Sequence, residues 1–210
     1  LGKKAEAVKA GTRFDRALPA ATRRAILRFY DGCIRRHVFA HRSRGHYLAK
    51  NPSATAKISS LLDTFPDARF LCLYRDPRET VPSTMRWFSF AWHYFSSVRE
   101  RYPLGGMIQN MIEQWYRYPL QMADGKAAGR IHFFSYEDLV ADPLDTVRRV
   151  YDCLGLEPRA AYLEVVRAEA ELARGHRPDG TGDLTDTGLT TDAIVRRYRG
   201  IPEAYARRIP

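Results

Sequence analysis

Arg75 and Ser83 are the residues of this sequence best placed to hold a phosphate group. Arg75 follows Phe70-Leu-Cys-Leu-Tyr74, an almost unbroken apolar run that predicts a strand covered on both faces. Asp76 then supplies an N-cap carboxylate, Pro77 fits the first helical position, and Glu79 sits at the third. A helix therefore starts directly after Arg75, which is delivered at the carboxyl end of a parallel strand, where open α/β sheets place ligands. Ser83 lies about two turns further on, close to the angular position of Asp76. A guanidinium fork and a hydroxyl converging there would hold one phosphate. The structural reading of the same residues is a salt bridge at the helix start and a buried hydroxyl. Arg78 either assists or pairs on the surface with Asp76 or Glu79.

Two other clusters bear on chemistry. Trp87, Phe88, Phe90, Trp92, Tyr94 and Phe95 form a dense aromatic patch on the same predicted helix. It reads first as core packing, and second as an acceptor wall or lid on which a ring could stack. His37 and His41 share a helical face at zinc-ligand spacing, but no third ligand or glutamate accompanies them, so no metal is expected.

The elements needed to position these residues can be read from periodicity and capping. Residues 1–18 read as a basic linker or the tail of a missing element, and 19–210 as one partial domain. Ile26, Phe29, Tyr30, Cys33, His37 and Val38 recur at helical spacing between Pro19 and Ala40. A short strand is expected at Tyr47–Ala49, then a helix capped by Asn51 and Pro52 with Ile58, Leu61, Leu62 and Phe65 on its apolar face. With the Phe70–Tyr74 strand these predict a right-handed βαβ unit. After Arg75 the helix should kink or restart at Pro82, and a further helix spans about Met107 to Ala123. Ile131–Tyr136 reads as the third strand. Asp142 and Pro143 start a helix that Gly155 stops, and another covers about Arg159 to Ala173. Residues 175–188 read as a loop, and Thr190 or Thr191 caps a last basic helix.

Composition narrows the function classes. The net charge is +10, carried by 34 Lys and Arg against 24 Asp and Glu, and arginine dominates. Arginine suits polyanionic ligands through bidentate pairing with phosphate and sulfate. Nucleic acid is not expected as partner, because the basic residues are dispersed and no zinc-finger or RNP pattern appears. No run approaches the roughly 18 apolar residues of a membrane span. Cys33, Cys72 and Cys153 lack CxxC spacing and read as buried thiols, consistent with a reducing, cytoplasmic setting.

Strand, Arg75-Asp-Pro-Arg78, then Ser83 resembles the 3′-phosphate-binding segment of the sulfotransferase family, enzymes that use 3′-phosphoadenosine 5′-phosphosulfate (PAPS) as sulfonate donor. Tyr47-Leu-Ala-Lys-Asn-Pro52 is similar to the family's strand ending in a lysine, and Phe134-Ser-Tyr-Glu-Asp-Leu-Val-Ala-Asp-Pro143 to its later strand and helix start. The wording is nearest the carbohydrate, tyrosylprotein and bacterial branches. The resemblance implies a P-loop NTPase-like, three-layer α/β fold with a short parallel sheet flanked by helices. It implies sulfonate transfer from PAPS, without a metal, to a hydroxyl or amine acceptor (carbohydrate, lipid, phenol or tyrosine). Lys50 takes the place of the lysine that contacts the donor's bridging oxygen, Arg75 and Ser83 hold the 3′-phosphate, and Tyr136 lies near the adenine or in the core. Arg177, with Arg174 and His176, reads first as part of a solvated loop and second as the basic segment that the family closes over the 3′-phosphate.

The departures from the pattern are specific. No Gly/Ser/Thr-rich 5′-phosphosulfate loop precedes Lys50, so the fold is expected to be incomplete at the amino terminus and the chain to be part of a longer protein or a truncated relative. Something must then cover the sheet: a missing segment, a partner chain or the amino-terminal helix. The aryl branch's catalytic histidine, two positions after the lysine, is replaced by Pro52, which leaves the base unassigned. The rival expectation is a non-catalytic domain that binds a nucleotide or an acidic partner.

Overall fold

A computed structural model describes residues 6, 10–42, 45–95, 105–173 and 189–210. In chain order its elements are α1 (Phe14–Ala17), α2 (Ala20–Ala40), a 3-10 helix (Pro52–Lys57), α3 (Ile58–Thr64), β1 (Phe70–Tyr74), α4 (Pro77–Phe95), α5 (Gly105–Ala123), β2 (Ile131–Ser135), α6 (Tyr136–Ala141), α7 (Pro143–Leu154), α8 (Ala160–Ala173), α9 (Thr191–Arg197) and α10 (Ile201–Ala206). They form two compact units: Leu1–Ala68 with Asn110–Arg130, and Arg69–Gln109 with Ile131–Pro210.

The first unit is helical. Its buried side chains include Phe14, Leu27, Ile58, Leu61, Leu62, Ile112, Tyr116 and Met122. Asn51 caps the 3-10 helix as expected, its side chain accepting from the Ser53 amide at 3.0 Å. The start of α3 is capped from a distance. Asp15 accepts from the backbone amides of Ser59 and Ser60 at 2.9 and 3.2 Å, from the Ser60 hydroxyl, and from the Tyr118 hydroxyl at 2.9 Å. Burial and this bond to Asp15 push the Tyr118 phenol well above its ordinary pKa.

Two expectations for this unit are corrected. Residues 46–51 have no regular secondary structure and join no sheet, so the strand at Tyr47–Ala49 and the βαβ unit built on it are absent among the described residues. A strand needs a neighbour's backbone groups, and Tyr47 instead sets its ring against His37 at the end of α2, 5.9 Å between centroids. On α2 the apolar stripe is only partly used: Leu27 is buried, while Ile26 and Phe29 are exposed.

The second unit is built around a two-stranded parallel sheet, with Phe70 opposite Ile131 and Tyr74 opposite Ser135. One face, carrying Cys72, Tyr74 and Phe133, is covered by α10. There Tyr205 stacks on Tyr74 at 4.6 Å and meets Phe133 edge-on at 5.4 Å. The other face of β1 is not covered, since Leu71 and Leu73 are 40% and 49% exposed. The strand reads from sequence as buried on both sides because periodicity records apolar side chains, not the layers available to cover them.

Capping in this unit follows the sequence closely. Asp142 accepts from the Asp145 amide at 2.9 Å to start α7, and Gly155 ends it at φ 65°, a left-handed conformation glycine adopts without steric cost. Thr190 caps α9 through the Ala193 amide at 3.2 Å. Helix α4 runs unbroken through Pro82. Val81, Pro82 and Met85 are all buried, so packing compensates for the hydrogen bond that proline cannot donate.

Candidate functional site

The parallel register makes the site. Because Tyr74 lies opposite Ser135, the next residues, Arg75 and Tyr136, leave the carboxyl ends of the two strands side by side. The Arg75 guanidinium carbon sits 4.5 Å from the centre of the Tyr136 ring. Tyr136 opens α6, and Ser135 fixes that start: its hydroxyl accepts from the Asp138 amide at 3.1 Å and meets the Glu137 carboxylate at 2.8 Å. Just before Arg75, burial raises the Tyr74 phenol to about 12, with the carboxylates of Asp76 and Glu137 adding to the shift, so it stays protonated at neutral pH.

Arg75 is partly buried and pairs with Glu79, one turn into α4, with nitrogen–oxygen distances of 2.9 and 2.8 Å. Arg78 takes the surface alternative: its Nε and a terminal nitrogen donate to Asp76 at 3.0 and 2.8 Å, and its amide completes the cap at 2.7 Å. Arg78 first, against the opposing cost of desolvation, holds the Asp76 carboxyl below its ordinary pKa. Ser83 is exposed on α4 rather than buried. Angular spacing of about 100° per residue puts it on the stripe of Asp76 and Thr80, and on the same stripe as Trp87, Phe90 and Tyr94. Those three rings and Phe95 are exposed, and Phe90 and Tyr94 stack at 6.1 Å. These four rings are therefore not core, whereas Phe88 and Trp92 are half-buried on the side that α4 turns inward with Val81 and Met85.

The remaining site candidates separate. Lys50 belongs to the first unit, exposed in the irregular stretch before Asn51 rather than at a strand end. Arg177, Arg174 and His176 lie outside the described residues. Among the described residues no group of three or more His, Cys, Asp or Glu could hold a metal. A cavity of about 650 Å³ in the second unit, lined by His132, Phe134, Arg149, Cys153 and Arg208 among others, includes none of the predicted site residues. The Arg75–Glu79 pair is the helix-start salt bridge that the structural reading of Arg75 expects, at the four-residue spacing of a helix. Asp15 carries no such local signal, because its partners lie more than forty residues away.

The Arg75 guanidinium carbon lies over the Tyr136 ring at the carboxyl end of a parallel strand. A helix amino terminus and an exposed serine follow on the adjoining helix.

Residues 5–160 match the Sulfotransferase family. The omega-hydroxy-beta-dihydromenaquinone-9 sulfotransferases Stf3 of Mycobacterium bovis and Mycobacterium tuberculosis are each 28% identical over 129 residues, 60% of this chain and 33% of theirs. The chain thus spans about a third of the length of these curated relatives. In fold it is similar to sulfotransferase STF9 from Mycobacterium avium, with a TM-score of 0.66 and 22% identity over 77% of this chain and 42% of that one. It is also similar to STF1 from Mycobacterium tuberculosis, with a TM-score of 0.52 and 25% identity over 72% and 38%. The strand, the Arg75–Ser83 helix start and the later strand-to-helix junction all fall within the matched span, and the chain belongs to the sulfotransferase family.

Proposed function

We propose that the protein carrying this chain transfers a sulfonate group from PAPS to a hydroxyl or amine acceptor, and that this chain holds the donor's 3′-phosphate. The observation that carries the proposal is Arg75 at the end of β1, stacked over Tyr136 and followed by the start of α4. When bound, the donor supplies the activated sulfonate. Arg75 and the Ser83 hydroxyl grip the 3′-phosphate, Arg78 adds positive potential at the helix start, and the Tyr136 ring faces the base. By family position, Lys50 takes the leaving-oxygen contact and Arg177 is assigned to the 3′-phosphate. The three free thiols are compatible with a cytoplasmic setting.

The acceptor class is a lipid hydroxyl. Support comes from the relatives named for a hydroxylated dihydromenaquinone and from the exposed rings of Trp87, Phe90 and Tyr94, which continue the Ser83 stripe. A ring-bearing or isoprenoid chain would lie along them.

Calorimetric titration with 3′-phosphoadenosine 5′-phosphate, against ADP as control, tests the donor site. The 3′-phosphorylated nucleotide should bind more tightly. R75A should weaken it about 10- to 100-fold and S83A about fivefold. A folded chain that does not distinguish the two nucleotides would sink the proposal and favour the non-catalytic reading.

A further inference from the structure

Helix α2 turns a basic, aromatic face to solvent. At about 100° per residue, Arg24, Arg35, Arg28, Phe39, Arg36 and Phe29 fall within a sector of about 140°, opposite Leu27 and Ile34. All six are exposed, and the two phenylalanines are 71% and 84% accessible. The sector contains no carboxylate: Asp31, the one acid on α2, sits at its margin and pairs with Arg35 at 2.8 Å. Arg42 follows directly after the helix, exposed as well. The contact of Tyr47 with His37 brings the next segment back against the end of α2. On that segment Leu48 is 84% exposed, two residues before Lys50.

Exposed phenylalanines cost free energy in water, and arginines crowded with a single acid at their margin repel one another. Together they match a surface that is apolar beneath and anionic above. We propose that the outer face of α2, with Leu48, docks on anionic lipid bilayers. The arginines engage lipid phosphates while Phe29, Phe39 and Leu48 enter the headgroup–acyl boundary. Charge decides among the possible occupants. A second copy of the chain would set arginine against arginine. A nucleic acid would use the arginines but gain nothing from the aliphatic Leu48. The docking leaves Lys50 beside the bilayer surface and does not depend on the transferase reading, since none of its residues belongs to the nucleotide site.

The test is vesicle flotation of this chain with phosphatidylcholine vesicles, with and without phosphatidylglycerol, at low and high salt. Phosphatidylglycerol vesicles should carry the protein, phosphatidylcholine vesicles should not, and salt should weaken the binding. Both F29S/F39S and R28E/R36E should lower partitioning by roughly tenfold or more with unchanged melting curves, since all four side chains are exposed. In F29W, tryptophan emission should shift to the blue on phosphatidylglycerol vesicles. Three results would each overturn the proposal: no flotation, equal flotation on both vesicles, or binding that F29S/F39S leaves intact and that soluble heparin abolishes equally. The last would assign the face to polyanions in general. Nucleotide titration of the same variants separates this outcome from failure of the donor site.

Discussion

Asp76 shows how much one residue at the head of a helix can organise. Its carboxylate accepts from the Arg78 amide, pairs with the Arg78 guanidinium, and is held below its ordinary pKa mainly by that pairing. D76A should destabilise the chain by about 1 kcal/mol. For a chain this long that lowers the melting midpoint by about 2–4 °C. A lowered pKa means that the unfolded chain binds the proton first as pH falls. The stability from Asp76 is therefore complete above the unfolded value near 3.9 and is lost as pH drops through the folded value. Melting curves of parent and D76A should converge in that acid range, and a gap that persists there would refute the charge-based account. Arg75, Asp76 and Pro77 were legible in sequence because strand end, cap and first helical turn are local. Stacking of Arg75 on Tyr136 was not, because it needs the register that sets Tyr74 beside Ser135.

At the scale of elements, β2 carries a built-in weakness. The buried Nε2 of His132 has no hydrogen-bond partner among the described residues, and desolvation first, then Arg69, lowers the ring's pKa. Folding therefore favours neutral imidazole, and stability falls as the pH drops from the unfolded value near 6.5 through the lower folded one. H132F removes the orphan nitrogen and the titration. It should melt no lower than the parent at pH 7.5, and its advantage should grow on acidification. Thermal melts at stepped pH decide the matter, and parallel curves for the two proteins would count against it. The helices that sequence located well, α4, α7 and α9, each begin with a side-chain cap or a proline beside it. The element that failed to appear, the strand at Tyr47–Ala49, depends on a distant neighbour for its hydrogen bonds. Helix α4 was located correctly, but which of its faces is buried was not: apolar residues occur on both sides, and only packing chooses.

For the molecule as a whole, Asp15 is the tie that composition conceals. It joins α1 to the start of α3 and to Tyr118 on α5, all within the first unit. D15A leaves two amides and a buried phenol without their acceptor and should destabilise the chain by about 2 kcal/mol. The midpoint should then fall by about 4–8 °C, and D15N, whose amide oxygen still accepts, should recover part of the loss. The preference for the 3′-phosphorylated nucleotide over ADP, measured well below the midpoint, should be unchanged, because Arg75 and Tyr136 belong to the other unit. A parallel loss of that preference would count against this assignment. The sequence by itself determined the family and the positions of most elements. Those depend on near neighbours in the chain: caps, apolar periods and a strand that ends in Arg-Asp-Pro. Only the tertiary structure decided which apolar side chains are buried, which strands pair, and that a carboxylate near one end holds a helix forty residues away. Burial and long-range hydrogen bonds depend on which surfaces meet, and no local pattern of residues records that.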